Sequence, residues 1–148
     1  MIQPNAQRSA TMRAVKSKDT APEIQVRRFV HGLGYRYRLH RRDLPGKPDI
    51  VLSKLQKVIF VHGCFWHGHS CSRGARLPKT NVEYWKCKID RNRKRDEQHL
   101  NDLASLGWRT LIVWECDLQS VALRRSIEQV IQAYLSMDPI PIQNGFLT

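Results

Sequence analysis

The apolar positions along this chain of 148 residues change period several times, and each change marks an element. Thr20-Ala21-Pro22-Glu23 has the spacing of a capping box, with proline early in a helix where its missing N–H costs nothing. Ile24, Phe29, Val30 and Leu33 continue that helix, and Gly34 is a fitting stop. Tyr35 to His40 alternates aromatic and basic side chains, as an extended segment would. A Pro/Gly turn then leads to a short buried strand, Asp49-Ile50-Val51-Leu52. Lys54-Leu55-Gln56 turns the chain and Lys57 to Val61 returns, so these two strands should form a hairpin. Residues 62–80 show no periodicity, and a loop of that length in a compact domain is usually functional or tethered. A long helix is predicted from about Val82 to Leu106, closed by Gly107; Trp108 to Trp114 follows as an apolar strand. A last amphipathic helix spans about Gln119 to Met137. The order helix, three strands, helix, strand, helix predicts an α/β fold, a mixed central sheet flanked by helices.

The two ends read differently from the middle. Residues 1–18 are polar and basic, with Met12 and Val15 the sizeable apolar side chains beyond the start, and are expected to form a flexible arm. Residues 138–148, opened by Pro139 and Pro141, are expected to be a tail, which leaves one domain at 19–137.

Charge narrows the function. Lys plus Arg is 25 against 13 Asp plus Glu, a net charge of +12. Residues 1–47 hold eleven of the basic residues against Asp19, Glu23 and Asp43, and Lys86 to Arg95 holds six against Asp90. Such a surface repels itself unless a polyanion is the working partner, which makes nucleic acid the expected ligand. No run approaches the ~18 apolar residues of a membrane span, and the N-terminus does not read as a signal peptide. A cytoplasmic protein is expected, in which four cysteines argue for thiols or metal rather than disulfides.

The chemistry concentrates in Val61 to Cys71, VHGCFWHGHSC, directly after the strand Val58-Ile59-Phe60-Val61. Cys64, His69 and Cys71 in the loop, with Cys116 at the end of a later strand, would make a closed structural zinc site. Spacing alone does not choose among His62, His67 and His69 for the nitrogen ligand. Asp49, at the mouth of its strand, is either a turn former after Pro48 or a ligand for Mg²⁺, which prefers oxygen. Asp96 shares a helical stripe with Trp85, Ile89, Leu100 and Leu103, so it faces inward and needs a partner. A histidine of the 62–80 loop is the natural candidate, with a salt bridge to Arg93 or Lys94 as the plainer alternative. Glu23 is explained by capping alone, although it could also order a metal-bound water. Phe65, Trp66 and Trp85 either cover a core or wedge between bases.

Together these residues resemble a known family. Arg8-Ser9, Met12-Arg13, Thr20-Ala21-Pro22-Glu23, LPGKPDIV, VIFVHGCFWHGHSC, EYWKCKIDRNRKRD and LGWRTLIVWEC are similar to the very-short-patch repair endonucleases. Those are bacterial mismatch-directed nicking enzymes related to type II restriction nucleases. The likeness runs over roughly residues 8–135. It implies a restriction-endonuclease-like (PD-(D/E)XK-related) fold with a structural zinc site. It also implies cleavage of one strand of duplex DNA 5′ of the thymine in a T·G mismatch, the product of 5-methylcytosine deamination. Carried over by motif, Asp49 and the Val61 carbonyl would hold Mg²⁺, and His67 would be the general base with Asp96 behind it. His62 would sit against the scissile phosphate, and zinc would take Cys64, His69, Cys71 and Cys116. Phe65, Trp66 and Trp85 would intercalate from the major groove, with Met12 approaching from the opposite one. The expected setting is a monomer working on the bacterial nucleoid, with repair proteins acting afterwards. Two departures stand out: Val61 where the family often has threonine, and Gly68 and Ser70 where other members carry more histidine. The alternatives are a zinc-containing DNA-binding protein without catalysis, and a related nuclease without mismatch preference.

Overall fold

The structure, a computed structural model, describes residues 19–72 and 74–137. The expected arm at 1–18, with Met12, and the expected tail at 138–148 lie outside the described residues. Helix α1 (Ala21–Gly32) starts from Thr20, whose Oγ1 accepts from the Glu23 N–H at 3.4 Å. The reciprocal bond of the expected capping box differs. The Glu23 carboxylate accepts from the Asp19 N–H at 2.9 Å, one residue before the cap.

Strand β1 (Arg38–Leu39) is short. Extended geometry was expected from Tyr35, but Tyr35 and Tyr37 instead pack their rings against the core beneath α1. Strands β2 (Ile50–Leu52) and β3 (Lys57–His62) pair antiparallel around a 3₁₀ turn at Ser53–Leu55, which is the expected hairpin. Helix α2 (Val82–Ser105) then crosses over to β4 (Arg109–Trp114), which lies parallel to β3. A 3₁₀ turn at Glu115–Leu118 leads into α3 (Val121–Ser136), two residues shorter at its start than its pattern predicts. The result is one mixed sheet in the order β1-β2-β3-β4.

Alternation along the strands sorts side chains to two faces. Ile50 and Leu52 of β2, Ile59 of β3 and Val113 of β4 meet Val26 and Val30 of α1 and Ile131 and Leu135 of α3. Val51, Val58 and Phe60 point the other way, against Leu44 and against Leu103 of α2. Both faces are covered, so β3 is buried along nearly its whole length. The parallel register brings His62 beside Trp114, so both strands end at the same edge. No helix among the described residues is long and apolar enough to cross a membrane.

Candidate active site

At that edge opens a cleft of about 860 Å³, lined among others by Glu23, Asp49, Val61, His62, His67 and Asp96. Four elements supply these six residues: α1, the entrance of β2, the end of β3 with the loop after it, and α2. The convergence expected of Asp49 and His67 is therefore present.

Asp49 is anchored by its Oδ2, which accepts from the Val61 N–H at 2.7 Å. Burial pushes its carboxyl up to about 6, the Val61 bond opposes that, and the nearby charge of Glu23 adds to it. Glu23 itself is 3% exposed. Arg27 reaches it at 3.0 Å, and His40 lies between the two acids, 3.7 Å from Glu23 and 3.8 Å from Asp49. Helix capping therefore accounts for only part of Glu23: its carboxylate faces the cleft beside a second buried acid. Two carboxylates crowded in a partly dry pocket form the hard-oxygen donor set that suits a divalent cation.

Across the cleft, the rings of His62 and His67 stack in parallel, 3.7 Å apart with 3° between planes. His67 Nδ1 lies 2.5 Å from Asp96 Oδ2, so the partner predicted from the helical stripe is the loop histidine rather than Arg93 or Lys94. Burial works against the charge of Asp96, but the His67 hydrogen bond and the charges of His67, His62 and Arg95 outweigh it and hold its carboxyl below the usual range. This contact uses Nδ1, so Nε2 is the ring nitrogen of His67 that Asp96 leaves for another partner. His62 is different. Burial first, and the charge of His67 second, lower it to about 4, so it stays neutral. Its Nδ1 is buried and has no hydrogen-bond partner.

A second cluster lies behind the histidines. Donor atoms of Cys64, His69, Cys71 and Cys116 all fall within 4.8 Å of one another. Two of the thiols resist ionising: burial raises Cys64, and burial first, then Cys64 and Cys71, push Cys116 up to about 12. A cation removes that conflict, and three sulfurs with one imidazole are the donor set of a tetrahedral site. The loop is folded tightly for it. The Gly74 N–H reaches Cys71 Sγ at 3.4 Å, and a Cβ on Gly74 would fall 2.0 Å from the His69 carbonyl oxygen. His69 also stacks on Trp114 at 4.1 Å. The group could hold a metal ion, and it ties the loop to the end of β4.

The aromatics gather on the far side of the loop. Phe65 lies 5.1 Å from Trp66 and 5.5 Å from Trp85, and Trp66 and Trp85 are 6.0 Å apart, all edge to face. Neither apolar core includes them. Two members escaped the sequence reading: Tyr84, 53% exposed, stands against Trp85, and the Lys88 ammonium lies within 6 Å of three of these rings. Helical spacing three after Trp85 could have flagged Lys88. The sequence places His40 only at the end of an extended segment; it reaches the site because its N–H pairs with the Asp49 carbonyl at 3.4 Å, just beyond β1.

Comparison with known proteins agrees with this geometry. Residues 2–73 match the family described as DNA mismatch endonuclease Vsr. The chain is 50% identical to a type II nicking enzyme, V.XorIIP of Xanthomonas oryzae, over 81% of this chain and 88% of that one. It is 43% identical to the DNA mismatch endonuclease Vsr of Escherichia coli, over 80% of this chain and 75% of that protein. Among solved structures, the catalytic domain of the homing endonuclease I-Bth0305I superposes with a TM-score of 0.51 at 22% identity. That superposition covers 78% of this chain and 94% of the domain, a likeness of fold. With these relatives and this cleft, the chain belongs to the Vsr family of DNA mismatch endonucleases.

Proposed function

We propose that this endonuclease nicks one strand of duplex DNA 5′ of the thymine in a T·G mismatch, with Asp49 and the Val61 carbonyl holding Mg²⁺. The observation that carries the reading is the meeting, in one cleft, of a desolvated carboxylate and a carboxylate-oriented histidine. Bound there, Mg²⁺ supplies charge neutralisation for the phosphate and the departing oxygen. The protein does the rest. His67 Nε2 accepts the proton of the attacking water, while Asp96 fixes the ring and stabilises the imidazolium that forms. His62, neutral and with an unpartnered Nδ1, sits against the phosphate as a hydrogen-bonding group that adds no charge. Glu23 shares the acid floor with Asp49 and orders water at the cation. Zinc on Cys64, His69, Cys71 and Cys116 fixes the position of the loop that carries His67.

Mismatch preference follows from the aromatic group. Phe65, Trp66 and Trp85 offer ring faces beside a basic helix, and a mismatched step is easier to unstack than a paired one. Ring stacking then replaces the base stacking that is lost.

The test is strand-specific nicking with Mg²⁺ on matched T·G and C·G duplexes. Cleavage of one strand of the T·G duplex alone is expected. Equal cleavage of both makes the protein a nuclease without mismatch preference, and binding without cleavage removes the catalytic reading.

A further inference from the structure

The cleft has an acidic floor and a cationic rim, and the chemistry above leaves the rim unused. Arg42 and Lys47 line it from the loop before Asp49, while Arg95 and His99 line the wall formed by α2. Other cations nearby are neutralised by the protein itself. Arg41 pairs with Asp43, and Arg27 with Asp19 and Glu23. Arg42 and Lys47 are both exposed, and neither has a carboxylate partner among the described residues.

The loop that carries Lys47 is built to hold it in place. Leu44 and Pro48 are buried on either side of it. The Lys47 N–H donates to the Leu44 carbonyl at 3.1 Å, closing a turn with Pro45 and Gly46 at its centre. Gly46 has φ +75°, the left-handed third position of a type II turn. A side chain there would meet the His99 ring at 3.0–3.1 Å, so the turn is seated on α2. Lys47 itself has φ +50°, where a turn would ordinarily place glycine or asparagine. A lysine in that conformation, at the rim of a cleft, is strain with a use close by.

We propose that Lys47, with Arg42 beside it, binds the phosphodiester next to the scissile one on the cut strand; this rests on the cleft being the nicking site. The spacing fits. Lys47 lies two positions before Asp49, a reach of at most about 7 Å, and consecutive phosphates of one strand are about 3.4 Å apart in helix rise. One phosphate over the Asp49 floor therefore leaves its neighbour within reach of the Lys47 side chain. Held there, the strand is fixed in register before water attacks, as phosphate contacts commonly do.

Lys47→Gly is the informative variant, because it removes the cation while relaxing the left-handed backbone. Affinity and nicking would be measured across a salt series, on T·G duplexes carrying one neutral methylphosphonate linkage at each position in turn. Lys47→Gly is expected to weaken binding about tenfold and to lower the log–log salt slope by about one; Lys47→Arg should restore both. At one flanking position the neutral linkage should reproduce the loss in the wild type and add nothing in Lys47→Gly. Losses that add at every position, an unchanged salt slope, or a fall in kcat with affinity intact would each overturn the proposal. A wild type that nicks no duplex would sink the functional reading instead, while the affinity arms, which need no cleavage, still decide the phosphate contact.

Discussion

Strand β3 ends in two very different ways, and the contrast explains why the site lies where it does. At its start, Lys57 is fully buried, yet its ammonium donates to the carbonyls of Tyr134 at 2.6 Å and Met137 at 2.5 Å. These carbonyls close the C-terminus of α3, where the helix dipole favours a cation. Tyr134 completes the arrangement, its hydroxyl 2.9 Å from the carbonyls of both Val58 and Arg109. Five residues on, at the other end, the pairing stops being complete. His62 has an orphaned nitrogen, Asp49 is forced toward its neutral form, and Cys116 cannot easily ionise. One end has its polar groups matched by the protein. The other leaves them for a ligand, which is what separates a structural terminus from a working one.

The largest effect is expected from breaking the sulfur cluster at the working end. Cys64→Ser removes a buried donor from a site that can contribute about 10–16 kcal/mol of apparent folding energy when zinc is bound. That matches or exceeds the ~5–15 kcal/mol by which a domain is stable. Zinc content and a cooperative melt should be lost together, and a metal-free variant that melts like the wild type would refute the structural role.

Next comes the histidine pair. His67→Ala should slow nicking by about 100- to 10,000-fold, the usual contribution of a general base. Metal content should be unchanged, and a loss of zinc would show that His67, not His69, completes the cluster.

At the closed end the effect should be on stability. Lys57→Met leaves the α3 carbonyls without their donor and should cost about 3 kcal/mol, roughly 10 °C in melting temperature. Activity per folded molecule should survive. An activity loss out of proportion to unfolding would mean that the two ends are coupled.

The smallest change is expected from Trp66→Ala, which should cut discrimination between T·G and C·G duplexes about tenfold, the stacking energy of one base. Its salt dependence should stay as it is, and intact discrimination would remove the wedge.

Much of this was legible in the sequence because β3, β4 and α2 carry strong periodic signals. The inward placement of Asp96 followed from its position four before Leu100, and its histidine partner from the need to satisfy a carboxylate on a packing face. What stayed hidden depends on how separate segments meet in the fold. For Glu23, capping and a place at the metal predict the same residue, and only the fold shows it lining one cleft with Asp49. His40 enters the site through pairing of β1 with β2, and Lys47 through a turn seated on His99. The sequence places Lys57 only as the first residue of a strand, and its burial depends on a helix nearly eighty residues further along.

The central claim, that the incomplete end of β3 breaks a phosphodiester bond, is tested most directly at Asp49. Single-turnover nicking of a T·G duplex with Mg²⁺, beside affinity for the same duplex, would be compared for the wild type and Asp49→Asn. The expected result is a rate lower by about 1,000-fold or more, equivalent to ~4 kcal/mol of lost charge stabilisation, with affinity held or improved. Nicking by Asp49→Asn at the wild-type rate would contradict the account.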